Sequence, residues 1–584
     1  MAAPSRLLYG LVQTIVCREA SEIESTFQAI ETAADSGKWL ALAADYELGY
    51  ELEPALRRQR STEHPLLTAL VFEHMLPLAH NEADEFIAAQ ITALPPQARV
   101  TGIAGLQPSL SETDFNAAIA RVRAYIEAGD CYQVNFTYAL NFDTYGAPLA
   151  LYAKLRRAQP VRYGAFVQTP QQAILSLSPE LFLERRGERL TSRPMKGTTS
   201  RGATPAEDAA QSARLAASAK DQAENLMIVD LVRSDMGRIA TPGGVRVERL
   251  FEIETYPTLL QMVSTVSAQP HQRALSGIFP ALFPCGSVTG APKIRAMQII
   301  QELENTPRGL YTGALGWLEP GGDFRFNVPI RTLVLDEHKR GKLGIGSGIV
   351  YDSDAASEFA ECRMKGHFLT ALEVNFQLIE SLRLESAHPD FFPLIGEHLK
   401  RLAASAAYFG FACDTEAVRR QLMAHARTLK AAQACKTRLL LSQNGECNIA
   451  SLPLETEMDN ATVVLSPLSL DSGDLLLRHK TTARAIYDAE LARIAAIPGC
   501  VDALFCNERG ELCEGARNNL FLSIDGALYT PPLSAGLLNG VMRQRILAEG
   551  KASERTLYLI DLQRAEAVYL SNAVRGLRRV ALAV

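Results

Sequence analysis

The chain has 584 residues, 47 % hydrophobic and 21 % charged, with 59 basic side chains against 65 acidic ones and a formal net charge of −6. That length exceeds what one hydrophobic core holds, so more than one compact unit is expected. The weakly acidic balance gives no electrostatic reason to expect a nucleic acid or an anionic membrane as partner, and no apolar run reaches membrane-spanning length. The ten cysteines are scattered singly with no Cys-x-x-Cys pair. That excludes the common zinc and thioredoxin-type signatures and fits a reducing compartment, the cytoplasm.

Taken in order, Leu7 to Cys17 follows Arg6, is interrupted by Gln13 and Thr14 and is closed by Arg18 and Glu19. With no clear small-residue cleavage site it reads as a buried strand rather than a leader. Ser111 opens a helix in which Phe115, Ile119, Val122 and Ile126 recur at helical spacing up to Gly129. A turn then leads into a strand through Gln133 and Phe136, and another strand ends at Ser178-Pro179-Glu180. Leu181-Phe182-Leu183, a turn at Arg186-Gly187 and Leu190 form a hairpin pattern, which puts Lys196 of Arg-Pro-Met-Lys-Gly-Thr at a hairpin strand end. A lysine desolvated there is nucleophilic near neutral pH; read alone, a solvated turn lysine is the commoner explanation.

Residues 207–239 are alanine-rich and helical, with Met227, Ile228, Leu231 and Val232 on an apolar face bordered by Glu224. Phe283 to Lys293 is a glycine-punctuated loop entering a helix with Pro292 in its first turn and Ile294, Met297, Ile300 and Leu303 as buried stripe. Such a helix start favours an anion, or is a plain helix entry. Leu343 to Val350 is a strand with Gly344, Gly346 and Gly348 on alternate positions, a pattern that admits a ligand or another backbone closely. The next helix, capped by Ser353 or Asp354, sets Glu358, Glu361 and Lys365 on one face. Beyond residue 373 hairpins dominate. Asn444-Gly445 and Asp525-Gly526 read as type I′ turns, with another turn at Arg509-Gly510. His479-Lys480-Thr481-Thr482 follows three leucines, and Asn539-Gly540-Val541 enters the last long helix.

Residues 110–372 resemble the chorismate-utilising enzymes through several blocks in the family's order. The resemblance implies an α/β (α+β) fold with large antiparallel sheets around a central cleft. Anthranilate and isochorismate synthases place alanine where this chain has Lys196; aminodeoxychorismate synthases carry lysine there, in Pro-x-Lys-Gly-Thr. Isochorismate synthases use a lysine base at the position of Gln133, and an amide is not basic. Both positions favour component I of aminodeoxychorismate synthase. The resemblance then implies Lys196 as nucleophile and Glu180 as general acid. It implies Glu224 and Glu361 as ligands of Mg²⁺ with Glu358 behind them. Tyr311, Arg331, Gly346, Gly348, Lys365 and Thr289 would bind chorismate, the arginine as a bidentate fork. Ser234 and Gln261 depart from the family's usual Asn and His.

Residues 376–584 are similar to the fold-type IV pyridoxal-phosphate enzymes, which have two subdomains. The likeness implies Lys480 as the residue that joins the cofactor and Glu514 as partner of its pyridine nitrogen. Arg401 would take the phosphate, completed by Gly540, Val541 and Asn572, with Asn519 nearby and Ala516 replacing a hydroxyl residue. Local motifs leave lyase and aminotransferase open; fusion to a synthase that makes the lyase's substrate favours aminodeoxychorismate lyase.

The expected domains are thus 1–372, with its core in 110–372, and 376–584. The expected reaction takes chorismate and ammonia to 4-aminobenzoate and pyruvate for folate. No glutaminase signature is found, so the ammonia would come from a separate glutamine amidotransferase subunit, and family likeness implies a homodimer through the second domain. The competing readings are an anthranilate-type synthase fused to an aminotransferase, and a non-catalytic chorismate-binding scaffold.

Overall fold

A computed structural model describes residues 4–57, 64–256, 259–429, 433–455 and 460–583. The chain divides into two compact units. The first comprises Met1–Gln90, Gln107–Asn141 and Tyr152–Ala371, and the second Ile91–Leu106, Phe142–Leu151 and Leu372–Val584. Among the described residues no helix is long and apolar enough to cross a membrane.

The first unit is built on two sheets. One has ten strands among the described residues, and it runs from the edge strand Ser5–Cys17 through Leu67–Leu78, Trp39–Ala44, Ala314–Leu318, Phe324–Asn327 and Leu181–Arg186 to Arg189–Arg193, Leu259–Ala268 and Met195–Ser200. Neighbours along it pair antiparallel. Its apolar face buries Leu40, Leu42, Phe182, Phe324 and Phe326 against Ile228, Val232, Phe279 and Leu282 of the helices Ala219–Gly237 and Leu275–Leu282. The other sheet sets Gln133–Tyr145 beside the glycine-rich strand Arg340–Ile349, followed by Thr332–Asp336, Gln172–Ser178 and Tyr163–Gln168. Glu180 lies where the chain crosses from Gln172–Ser178 of this sheet to Leu181–Arg186 of the first, the sheet that also holds Lys196.

The helix Glu112–Glu127 starts where its cap residue predicts: Ser111 Oγ accepts from the Asp114 amide at 3.2 Å, and Phe115, Ile119 and Val122 are buried. The helix Ala355–Thr370 is capped by Asp354, which accepts from the Ser357 amide at 2.9 Å. Ser353 has another task, donating its hydroxyl to Glu358 at 2.7 Å.

Several expectations need correction. Ser5–Cys17 is a strand but an edge one, with only Ile15 and Cys17 buried, because its partner covers one side alone. Residues 207–239 form two helices, Pro205–Ala216 and Ala219–Gly237, split where Ser218 caps the second by accepting from the Asp221 amide. Ile294 is 41 % exposed, and Ala296 and Ile299 join Met297, Ile300 and Leu303 on the buried side; Pro292 is the cap. Lys196 belongs not to the hairpin Leu181–Arg186 with Arg189–Arg193 but to the next strand, Met195–Ser200. The helix entered at Gly540 spans only Val541–Ala548, and Leu559–Arg564 follows it.

Among the described residues the second unit has a three-stranded sheet, Leu378–Leu384, Cys435–Leu441 and Cys447–Pro453, and an eight-stranded one. The larger sheet curls until Leu512–Gly515 pairs with Asn519–Ile524, closing a barrel. Helices Ile395–Phe409 and Thr415–Thr428 cover the smaller sheet through Leu399, Leu402, Val418 and Leu422. Asp525 and Gly526 both have positive φ, 51° and 74°, as a type I′ turn requires. At Asn444-Gly445 only the glycine does, at 89°, so that hairpin turns differently from the expectation. Leu475–Arg478 is a short 3₁₀ turn, and it delivers Lys480 to the edge of Leu378–Leu384, where the Ile379 amide donates to the Lys480 carbonyl at 2.8 Å.

Candidate active sites

In the first unit the strand Met195–Ser200 is bulged. Met195 pairs with Val263 and Thr198 with Gln261, so Lys196 and Gly197 together oppose Met262. Gly197 supplies the required backbone, with φ at 87°. A bulge turns a side chain off its strand face, and here it takes the Lys196 amine inside. A Cβ added at Gly348 would lie 3.4 Å from Lys196 Nζ and 2.7 Å from Gln133 Nε2, so both side chains end over that glycine. Burial lowers the lysine's pKa, the Lys365 charge adds to this, and Glu224, Glu180 and Glu361 oppose it. Gln133 is 1 % exposed and neither amide atom has a partner among the described residues. A buried amide left open on both atoms marks room for something it binds. Sequence reasoning used Gln133 only to exclude a base.

Glu180 is 3 % exposed, and its Oε1 accepts the Ser287 hydroxyl at 2.7 Å. Burial pushes its pKa up to about 7, against the pull of that hydrogen bond and of the Lys196 charge. It therefore holds a proton near neutrality. Ser287, which the sequence did not single out, comes from the loop read as an anion site. Thr289 on the same loop turns its hydroxyl to the Gly286 carbonyl at 3.2 Å.

Around these groups stand the expected carboxylates. Glu358 is engaged by the hydroxyls of Ser347 and Ser353. Glu361 pairs with Lys365 at 2.8 Å, and Lys365 also donates to the Gly346 carbonyl at 2.8 Å. Burial works to raise the Glu361 pKa, but the Lys365 charge and hydrogen bond outweigh it and lower it. Burial raises that of Glu224, which lies 4.0 Å from Lys220. Among the described residues no three metal-ligating side chains converge. Two carboxylates completed by water are an ordinary donor set for Mg²⁺, and Glu224 and Glu361, whose charges both reach Lys196, fit it.

Tyr311 is half-buried and its ring packs under Gly344. Arg331 donates to Gln159 Oε1 at 2.9 Å, and burial lowers its pKa. It lines a small recess with Pro179, Met195, Tyr256 and Gln261. At the family departure Ser234 the side chain is exposed, and the neighbouring Asp235 keeps a buried ion pair with Lys293 at 2.5 Å.

In the second unit, burial lowers the Lys480 pKa to about 8, helped by the charges of Arg401 and Arg484 and opposed by Glu380 and Glu514. Glu514 is 6 % exposed, and burial raises its pKa to about 8. It accepts from the Tyr487 hydroxyl at 2.7 Å, Asn519 Nδ2 at 3.2 Å and the Leu538 amide at 3.2 Å. Tyr487 was not legible beforehand. Arg401 grips Glu380 with two bonds, 2.9 and 2.5 Å, and His398 Nδ1 meets the same carboxylate at 2.6 Å. These charges hold the Glu380 pKa at about 2 despite burial, which acts to raise it. The Gly540 amide donates to the Leu538 carbonyl at 2.9 Å, and a Cβ there would run into Asn519. Val541 begins the helix, where leading N–H groups lack intrahelical partners. Asn572 is occupied locally: its Oδ1 accepts from the amides of Val574 and Arg575, and its Nδ2 donates to Asn518 at 2.5 Å. A half-buried lysine with a lowered pKa, a buried carboxyl whose charge reaches it and a glycine-cleared helix start fit pyridoxal phosphate.

The architecture is that of a two-domain enzyme: the chain belongs to the chorismate-binding enzyme family, whose model matches residues 12–371. Behind that domain it carries a class IV amino-transferase domain, matched over residues 377–583. It is similar to aminodeoxychorismate synthase component 1 of Klebsiella aerogenes, 37 % identical over 332 residues, covering 54 % of this chain and 73 % of that protein. It is 38 % identical over 301 residues to the same component of Escherichia coli, covering 50 % and 66 %. In fold, anthranilate synthase component I from Streptococcus pneumoniae covers 63 % of this chain and 92 % of its own, at a TM-score of 0.55 and 24 % identity.

Proposed function

We propose that this enzyme makes 4-aminobenzoate from chorismate and ammonia, aminating the ring in the first unit and removing pyruvate in the second. The observation that carries the reading is the Lys196 amine, buried with a lowered pKa beside Gly348 and Gln133 in a chorismate-binding fold. Its lowered pKa leaves more of it unprotonated at a given pH than an ordinary lysine. Its lone pair adds to the far end of the diene of chorismate as the C–O bond of the ring hydroxyl breaks. Glu180 gives its proton to the departing oxygen, which leaves as water. Ammonia then adds at the carbon vacated, the C–N bond to Lys196 breaks, and the proton ammonia sheds balances the one Glu180 gave. Glu224 and Glu361 would hold Mg²⁺, which would offset the charge of the ring carboxylate. Arg331 and Tyr311 would take the enolpyruvyl carboxylate.

In the second unit Lys480, Glu514 and Asn519 would hold pyridoxal phosphate, with the Val541 helix start toward its phosphate. When bound, that group supplies an electron sink. Lys480 Nζ takes the α-proton of the aminated ring, and Tyr487 and Asn519, donating to the Glu514 carboxyl, hold that group in place. The products are the aromatic amine and pyruvate. The ammonia is supplied by a separate glutamine amidotransferase subunit.

The test supplies chorismate, Mg²⁺ and ammonia to three proteins. Wild type should yield 4-aminobenzoate, Lys196→Ala nothing, and Lys480→Ala accumulated aminodeoxychorismate. An ortho-aminobenzoate product, or a normal yield from Lys480→Ala, overturns the reading, and a colourless wild type with no product favours a scaffold.

A further inference from the structure

The bulge that carries Lys196 is held from the neighbouring strand by one side chain. Gln261 Nε2 donates to the Gly197 carbonyl at 2.9 Å, and Gln261 Oε1 accepts the Thr198 hydroxyl at 2.8 Å. The amide thus spans the two residues that follow the lysine, at the position where the strands regain register. On the other side the bulge abuts a helix, where a Cβ on Gly197 would meet Asp221 Cβ at 2.9 Å. The lysine's backbone is therefore clamped between the Gln261 amide and the start of the helix Ala219–Gly237. A lysine side chain has many rotamers and loses them when held in one pose. Fixing its backbone removes one source of misplacement, and a displacement of about 1 Å can cost a reaction about a hundredfold.

We propose that Gln261 is a positioning residue for Lys196, holding the bulge so that the amine stays inside, over Gly348. The inference rests on the amination reading. A purely structural role is the plain alternative, since an amide bonding a neighbouring strand is common in sheets. The two roles differ in what they predict for the lysine's own ionisation. If the clamp keeps the amine buried, releasing the bulge lets it reach water, and its ordinary higher pKa returns.

The experiment uses the full-length enzyme with pyridoxal phosphate, Mg²⁺ and ammonia, and compares wild type with Gln261→Leu, Gln261→Glu and Thr198→Val. Leu removes both bonds, Glu keeps only the acceptor, and Thr198→Val removes one hydroxyl at an exposed position. The expected kcat for amination falls about 10–100-fold for Leu and Glu and only a few-fold for Thr198→Val, with KM for chorismate within about threefold. The acid limb of the pH–kcat profile, and the pH dependence of Lys196 acylation followed by mass spectrometry, should both move upward in Leu and Glu. Conversion of supplied aminodeoxychorismate by the second unit should be unchanged, which shows the chain folded. A wild type that does not aminate chorismate refutes the underlying reading. A wild type that does, with Gln261→Leu matching its rate and both pH dependences, refutes the clamp. Loss of rate with unmoved pH dependences also refutes it, in favour of the structural role.

Discussion

Single side chains set the pH range of the first reaction. Glu180 must carry a proton and Lys196 must not. The rate should therefore rise as pH climbs through the lowered lysine pKa and fall as pH climbs through about 7, where Glu180 ionises. Glu180→Gln keeps the shape without the acid; its kcat should fall by about 10²–10⁴-fold and lose the alkaline limb. A pH series with ammonia held at constant free-base concentration checks this. In the second unit, uptake of pyridoxal phosphate by the cofactor-free protein needs Lys480 as the free amine. The rate followed by visible absorbance should rise with a midpoint near about 8.

Strands and loops decide where those side chains end. Two of the glycines of Arg340–Ile349, Gly346 and Gly348, have different tasks. A Cβ on Gly346 meets the Phe136 carbonyl and Thr137 Cγ2, each at 2.6 Å, while one on Gly348 meets the end of Gln133 at 2.7 Å. Backbone cannot yield as a flexible amide can. Gly346→Ala should cost about 1–3 kcal/mol in urea unfolding. Gly348→Ala should cost little stability yet lower kcat/KM about 10–100-fold by pushing Gln133 against the substrate. This alternation was legible as glycines at every second residue, since strand periodicity is a local property. Lys196 and Glu180 were singled out through short family motifs and the Glu358–Lys365 face through helical spacing, signals that are likewise local in sequence. What stayed hidden is non-local. The bulge depends on a register set with Leu259–Ala268, more than sixty positions away in sequence, and the contacts of Ser287 with Glu180 and Tyr487 with Glu514 join segments 107 and 27 residues apart. The exposed edge strand Ser5–Cys17 misled because apolar content says a strand forms, not whether both faces are covered.

For the molecule as a whole, each unit has its own buried charge network and its own core. In the second, the Glu380 pKa is lowered from 4.5 to about 2 by Arg401 and His398. The stability this contributes, about 3 kcal/mol, is complete above pH 4.5 and is lost as pH falls through about 2. Glu380→Gln should flatten that acid loss in denaturant titrations of cofactor-free protein, at the cost of leaving Arg401 half-matched. Two cores also mean that a single melting temperature is not expected to describe the chain.

The membership of residues 91–106 and 142–151 in the second unit has a practical reach. Tyr145 sits edge-on to Phe376 and Phe409 with centroids 5.7 and 5.8 Å away, and Tyr408 donates its hydroxyl to Asp143 at 2.8 Å. Gene dissection at the obvious seam near position 373 would strip those pieces from the downstream fragment. Expressed alone, it should emerge from the ribosome with a hole in its interior and collect in inclusion bodies, while grafting the two lost stretches back should return it to the supernatant.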